Sequence, residues 1–127
     1  MGLDNGIRII STKEDIVPER LRDSVDPFEI AYWRKCHGIR SEILHFLSIG
    51  RDVLGETTFI LDREDIGNII ELMKLYLNRR YWNDHANSIW DFNTFRPMQE
   101  KNIKRLKWLY RYMDKHPDIE VYFYDSY

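Results

Sequence analysis

The sequence predicts an α+β fold in which three main helices pack on a small antiparallel sheet that includes the N- and C-terminal strands. Three observations carry this expectation. Short β-prone runs stand near both ends, at residues 6–10 and 119–124. Between them lie three stretches whose apolar residues recur at helical spacing. Of the 127 residues 43% are hydrophobic, with six Phe, four Trp and eight Tyr, which is far too apolar for a disordered chain. That length buries a real core and predicts one domain over residues 1–127.

Asp4-Asn5-Gly6 reads as a turn, and residues 6–10, with Ile7, Ile9 and Ile10, as a strand. Residues 11–25 are charged, contain Pro18 and read as a solvated connection with a helical turn near residues 19–22. The first helix is placed at residues 26–47. Asp26 is its N-cap, Pro27 its first position, and Glu29 reaches back to complete a capping box. Tyr32, Cys36, Ile39, Ile43 and Phe46/Leu47 then line one face, with Glu29, Trp33 and Arg40 along its edge. Gly38 inside this helix costs about 1 kcal/mol relative to Ala and marks a close backbone approach.

A loop over residues 48–56 precedes a second strand at 57–61. Asp62 then caps a second helix, with Asp65 at its third position. Its stripe is Ile66, Ile69, Ile70, Met73, Tyr76 and Leu77, and it ends near Arg79-Arg80. Residues 81–95 are the least regular and most aromatic, and are expected as a long loop with a short helix folded over the core. A third helix starts within residues 94–97, turns Met98, Ile103, Leu106, Tyr110 and Met113 inward, and stops at Pro117. In the final strand, at 119–124, Ile119, Val121 and Phe123 share one face and Glu120, Tyr122 and Tyr124 the other. Pairing of the two terminal strands would bring Asp4 near Tyr122 and Tyr124.

Met1-Gly2-Leu3-Asp4, the run Glu29-Ile30-Ala31-Tyr32-Trp33-Arg34-Lys35 and the tyrosine-rich end Val121-Tyr122-Phe123-Tyr124-Asp125-Ser126-Tyr127 carry a resemblance. The chain resembles a family of small uncharacterised bacterial and phage proteins that open with the same tetrapeptide and carry a Glu-x-x-Tyr-Trp-Arg-Lys helix. Tyr127 stands where that family ends on Trp, and Arg40-Ser41-Glu42 where it often has His-x-Trp. The resemblance spans both ends and the first helix. It implies a phage or mobile-element context and no particular chemistry.

The net charge of −2 argues against a general nucleic-acid binder. No apolar run reaches membrane-spanning length and no signal-peptide pattern is present, so cytoplasm is the expected location and no membrane partner is expected. Gly6 stands where a myristoylation motif needs Ser or Thr. Cys36, the lone cysteine, falls on the apolar helix face and reads as core filling rather than nucleophile. Phosphate loops, nucleophile elbows and paired-cysteine motifs are absent, and His37, His45, His85 and His116 lack ligand spacing. Neither a metal nor a cofactor is expected.

The candidate constellation is Asp4, Glu29, Tyr32, Trp33, Arg34 and Lys35, with Arg40 on the same helix edge and Tyr122 and Tyr124 on the last strand. Structurally, Glu29 caps, Trp33 packs and the cations face water. Functionally, the group forms a polar site for a planar or charged ligand. Lys101, Lys104, Arg105, Arg111 and Lys115 project to one side of the third helix, as a solvated face or a phosphate-binding stripe. The expected function is a small non-catalytic binding or interaction protein whose partner is a protein or a small polar ligand. The alternative is a small enzyme or binder acting on a nucleotide or phosphate-containing ligand. Asp4 and Glu29 would then be its acid–base pair and Arg34 or Arg40 its anion clamp. Carboxylates converging in a deep pocket would favour the enzyme, and a flat, aromatic or basic exposed patch the interaction protein.

Overall fold

The computed structural model describes residues 4–10, 17–21, 28–48 and 58–126. In chain order it has β1 (Asp4–Ile10), a 3-10 turn (Glu19–Leu21), β2 (Glu29–Arg34), α1 (His37–Ser48), β3 (Thr58–Leu61), α2 (Arg63–Leu75), α3 (Arg79–His85), α4 (Phe92–Lys115) and β4 (Glu120–Ser126). The strands form one antiparallel sheet in the order β2-β1-β4-β3. The α+β class and the pairing of the terminal strands are as the sequence predicts: Asp4 stands opposite Ser126 and Gly6 opposite Tyr124. The connection over residues 49–57 and Asp26 with Pro27 lie outside the described residues.

Period-2 alternation splits the sheet into two faces. Ile7, Ile9, Ala31, Trp33, Phe59, Leu61, Val121 and Phe123 point inward and are buried. The helices cover that face with Ile39, Ile43 and Leu47 of α1, Ile66, Ile69, Ile70 and Met73 of α2, and Phe95, Ile103, Leu106 and Leu109 of α4.

The first predicted helix needs the largest correction. Residues 29–34 are a strand, not helix, so Glu29 completes no capping box and Trp33 lies on no helix rim. Ala31 and Trp33 turn inward while Tyr32 and Arg34 turn outward, and a bulge opposite the Ile7/Arg8 step accommodates Ile30. Lys35 then takes a left-handed backbone (φ 52°), which ends the strand and redirects the chain into α1. Only after Cys36, itself bridged to Ser88, does the predicted stripe become helical. Gly38 is the close approach expected of it: its N–H donates to the Ala86 carbonyl (2.7 Å), and an added Cβ would stand 1.8 Å from the His85 carbonyl oxygen.

The capping box of α2 is as predicted, with Asp65 N–H donating to Asp62 Oδ1 (2.7 Å) and Asp62 N–H to Asp65 Oδ2 (3.0 Å). The 81–95 stretch is more regular than expected. Asn78 caps α3, Asp91 caps α4 ahead of the predicted start, and Pro97 sits in the second turn of α4. Trp82 is buried and stacks on Phe95 (centroids 4.0 Å apart), so this stretch is core packing. Met98, expected inward, is 45% exposed.

Three polar residues of α4 are buried instead: Gln99, Asn102 and Arg105. Their partners explain this. β2 has β1 on one side only, so its other edge carries unpaired backbone groups. Asn102 answers both groups of Tyr32, accepting from its N–H (3.3 Å) and donating to its carbonyl (3.1 Å). Arg105 Nε donates to the Ile30 carbonyl (2.7 Å), and Gln99 accepts from the Trp33 indole (2.7 Å). Arg105 therefore leaves the predicted basic side of the helix to close a strand edge.

This edge is testable by chemical denaturation. Asn102→Leu strips both partners from Tyr32 and should cost about 2–3 kcal/mol, the penalty for unanswered backbone groups. Ile43→Ala, at the centre of the buried α1 stripe, should cost about 2–5 kcal/mol. A loss below about 0.5 kcal/mol for Asn102→Leu would mean that water serves this edge equally well.

Candidate functional site

The outer face of the sheet gathers six of the nine residues singled out above: Asp4, Glu29, Tyr32, Arg34, Tyr122 and Tyr124. The ladder arranges them in rows. Asp4 lies opposite Arg34, Gly6 lies between Tyr32 and Tyr124, and Arg8 lies between Glu29 and Tyr122. Ile60, 62% exposed, continues the row of Tyr122 on β3.

The missing side chain at Gly6 organises the middle row. The Tyr124 ring crosses β1 directly above this glycine; a Cβ there would stand 2.5 Å from Tyr124 Cε1. Its hydroxyl continues to β2 and donates to Glu29 Oε2 (2.7 Å), which also faces Arg8 Nη1 (3.6 Å). The aromatic ring thus covers a bare stretch of backbone and ties three strands together. At the far end of the face the Tyr32 hydroxyl donates to Asp4 Oδ1 (2.8 Å), with Arg34 Nε 4.0 Å from the same oxygen. Each carboxylate therefore has its own phenol and guanidinium.

These pairings fix the protonation states. Burial pushes the Tyr32 phenol up to about 12, helped by its hydrogen bond to Asp4 and that residue's charge. Burial, then the bond to Glu29, raises the Tyr124 phenol further. Both hydroxyls are neutral donors at physiological pH. Cys36 is likewise a protonated thiol: burial raises it to about 11 against a small opposing effect of Ser88.

The other three residues go elsewhere. Trp33 is buried on the inner face. Lys35 makes the strand-to-helix turn, its carbonyl accepting from Ser88 Oγ (2.8 Å). Arg40 grips Asp125 with Nε and Nη2, both at 2.8 Å, and Asp125 also accepts from Asn5. Arg40 thus fastens α1 to the last strand on the inner side of the sheet.

Beside the face, along the outer edge of β2, a cleft of about 190 Å³ opens between Tyr32, Arg34, Trp90, Phe95, Met98 and Asn102. The Trp90 indole donates to the Arg34 carbonyl (2.8 Å), continuing the edge closure begun by Arg105 and Asn102. Sequence reasoning missed this cleft. Its one signal was the spacing of Met98, Asn102 and Arg105, which puts them on one flank of α4. Among the described residues no group of three His, Cys, Asp or Glu is placed to hold a metal, and no helix is long and apolar enough to cross a membrane. No family model, curated protein or solved structure matches the chain significantly.

Two measurements probe this face. Phenolate absorbance should show Tyr32 ionising near 12, and Asp4→Asn should bring it part of the way back towards 10.0, burial remaining. Because the folded-state value is the higher one, the Tyr32 contribution to stability is intact below pH 10 and is lost as pH rises through about 12. Second, Gly6→Ala should cost about 1–3 kcal/mol by displacing the Tyr124 ring, and most of that cost should vanish in a Tyr124→Ala background. Equal costs in both backgrounds would contradict the packing of ring on glycine.

Proposed function

We propose that this chain is a small non-catalytic interaction protein that takes a partner protein on the outer sheet face and in the adjoining cleft. One observation carries the reading. Asp4 and Glu29 do not converge on one another; they lie in separate rows of the sheet face, each held by its own tyrosine and arginine, and the cleft beside Tyr32 and Arg34 is largely aromatic and apolar.

The residue types fit this use. Tyr, Trp, Met and Arg are enriched at the centres of protein interfaces, where rings and thioethers give contact area at low entropic cost. Tyr32 and Arg34 border both the face and the cleft. An apolar anchor side chain of the partner would enter between Trp90 and Met98, and its charged groups would meet Arg34 and Asp4. Because side chains of α4 and Trp90 occupy the outer edge of β2, the partner binds there through side chains rather than by adding a strand. The resemblance to small phage proteins supports an accessory role. The phosphate-ester reading loses Arg40, which is committed to Asp125 on the opposite side of the sheet, and keeps only Arg34 as a clamp beside Asp4.

The test is capture from lysate of the cell that carries the gene, followed by native mass spectrometry. Wild type should retain one protein at fixed stoichiometry. Tyr32→Ala and Met98→Glu should each weaken that complex by about 2 kcal/mol, roughly thirtyfold. A complex indifferent to both substitutions would refute the surface. Phosphate-ester turnover abolished by Asp4→Asn would refute the non-catalytic reading.

A further inference from the structure

A second surface lies on the far side of α4, away from the sheet. At 100° per residue Lys101, Lys104, Trp108, Arg111, Tyr112 and Lys115 fall within one outward arc of this helix. From Lys101 to Lys115 the stripe runs about 21 Å. Its four cations are exposed, and among the described residues none of them meets a carboxylate.

The stripe carries a cleft of about 420 Å³ lined by Trp108, Arg111, Tyr112, Asp114, Lys115 and, from the start of α2, Arg63. Arg63 is held in place. Its Nε donates to the Tyr110 carbonyl (2.9 Å) and its guanidinium lies 3.8 Å from the Tyr110 ring centre. Trp108, Tyr112 and His116 form a ladder of rings, with centroids 5.0 and 3.9 Å apart.

We infer that this cleft and stripe bind single-stranded nucleic acid, one base lying against Trp108 and the backbone phosphates following Arg63, Arg111, Lys115 and the lysines of α4. Cations alone would suit any polyanion. Tyr112 is sandwiched between Trp108 and His116, so it braces Trp108 and the base stacks on the face of Trp108 turned away from it. That ring selects for unpaired bases, whose faces are free to stack, over duplex, whose bases are stacked already. The cleft volume suits one nucleotide, and the length of the stripe calls for more phosphates than a mononucleotide offers. The net charge of −2 does not oppose this, because the field that matters is local to the helix face. The site is separate from the sheet face, on the other side of the molecule.

Fluorescence anisotropy of a labelled oligothymidylate tests the inference. Wild type should bind at low salt and weaken steeply as salt rises. Arg111→Gln with Lys115→Gln should weaken binding at least about tenfold and flatten the salt dependence. Tyr112→Leu should weaken it about tenfold with little change in salt slope. Lys104→Gln alone, on the exposed stripe, gives a milder loss and serves should the double variant fail to fold by circular dichroism. Tyr32→Ala should bind like wild type, which separates this site from the sheet face. No binding would overturn the inference. So would equal affinity for a duplex of the same length, or heparin binding as tight as the oligonucleotide with Tyr112→Leu affecting neither.

Discussion

The outer edge of β2 is closed by side chains instead of a further strand, and the placement of α4 follows from that. An amide at position 102 copies what a neighbouring strand would supply, one acceptor and one donor for the same residue. Arg105 and Trp90 extend the match to Ile30 and Arg34. Because the Asn102 and Arg105 contacts are directional, they fix the rotation of α4 about its own axis as well as its distance from the sheet. That rotation turns Phe95, Ile103, Leu106 and Leu109 into the core and the lysine stripe outward. An apolar helix face alone would have tolerated a sliding contact; the edge contacts allow one register.

The same constraint explains why a single strand serves two surfaces. β2 delivers Trp33 to the core, Tyr32 and Arg34 to the open face, and its edge to the cleft. Around Asp4 and Glu29 the open face has almost no unbalanced charge, since a phenol and a guanidinium settle on each of these carboxylates. A surface of neutralised pairs and exposed rings desolvates at lower cost than one of free charges, as association with another protein requires. The outward side of α4 is the opposite case: among the described residues its four stripe cations form no ion pair, and rings stack beside them.

Much of this was legible in the sequence wherever the deciding interaction is local. The Asp62–Asp65 box, the alternation at Val121–Phe123 against Tyr122–Tyr124, and the close approach at Gly38 are each written within a few residues. The strand at 29–34 was not. Tyr32 lies one helical turn before Cys36, so the stripe of α1 extrapolates backward in phase, and the partner that makes these residues a strand is β1, far off in sequence. Gln99, Asn102 and Arg105 were illegible for a related reason: polar residues on a helix read as solvent-facing unless a strand edge is known to lie beneath them. Tyr122, Tyr124 and Asp4 were identified through the correct expectation that the terminal strands pair. Glu29, Tyr32 and Arg34 were chosen as a helix rim and share the face only because strands alternate. Trp90 had no local pattern to join it to the cleft that Met98 and Asn102 line from α4.

The two central strands of the sheet, β1 and β4, stand at opposite ends of the described chain. Their union closes the longest loop in the fold, the kind of contact that raises contact order and slows folding. β1 and β2 can zip locally as soon as they emerge from the ribosome, and α2 can grow from its box. The tyrosine face cannot exist before β4 docks, because Tyr122, Tyr124 and the attachment of β3 all arrive with it. A chain from which β4 is missing therefore lacks this tyrosine face, and assembly of the face waits on the central β1–β4 pairing.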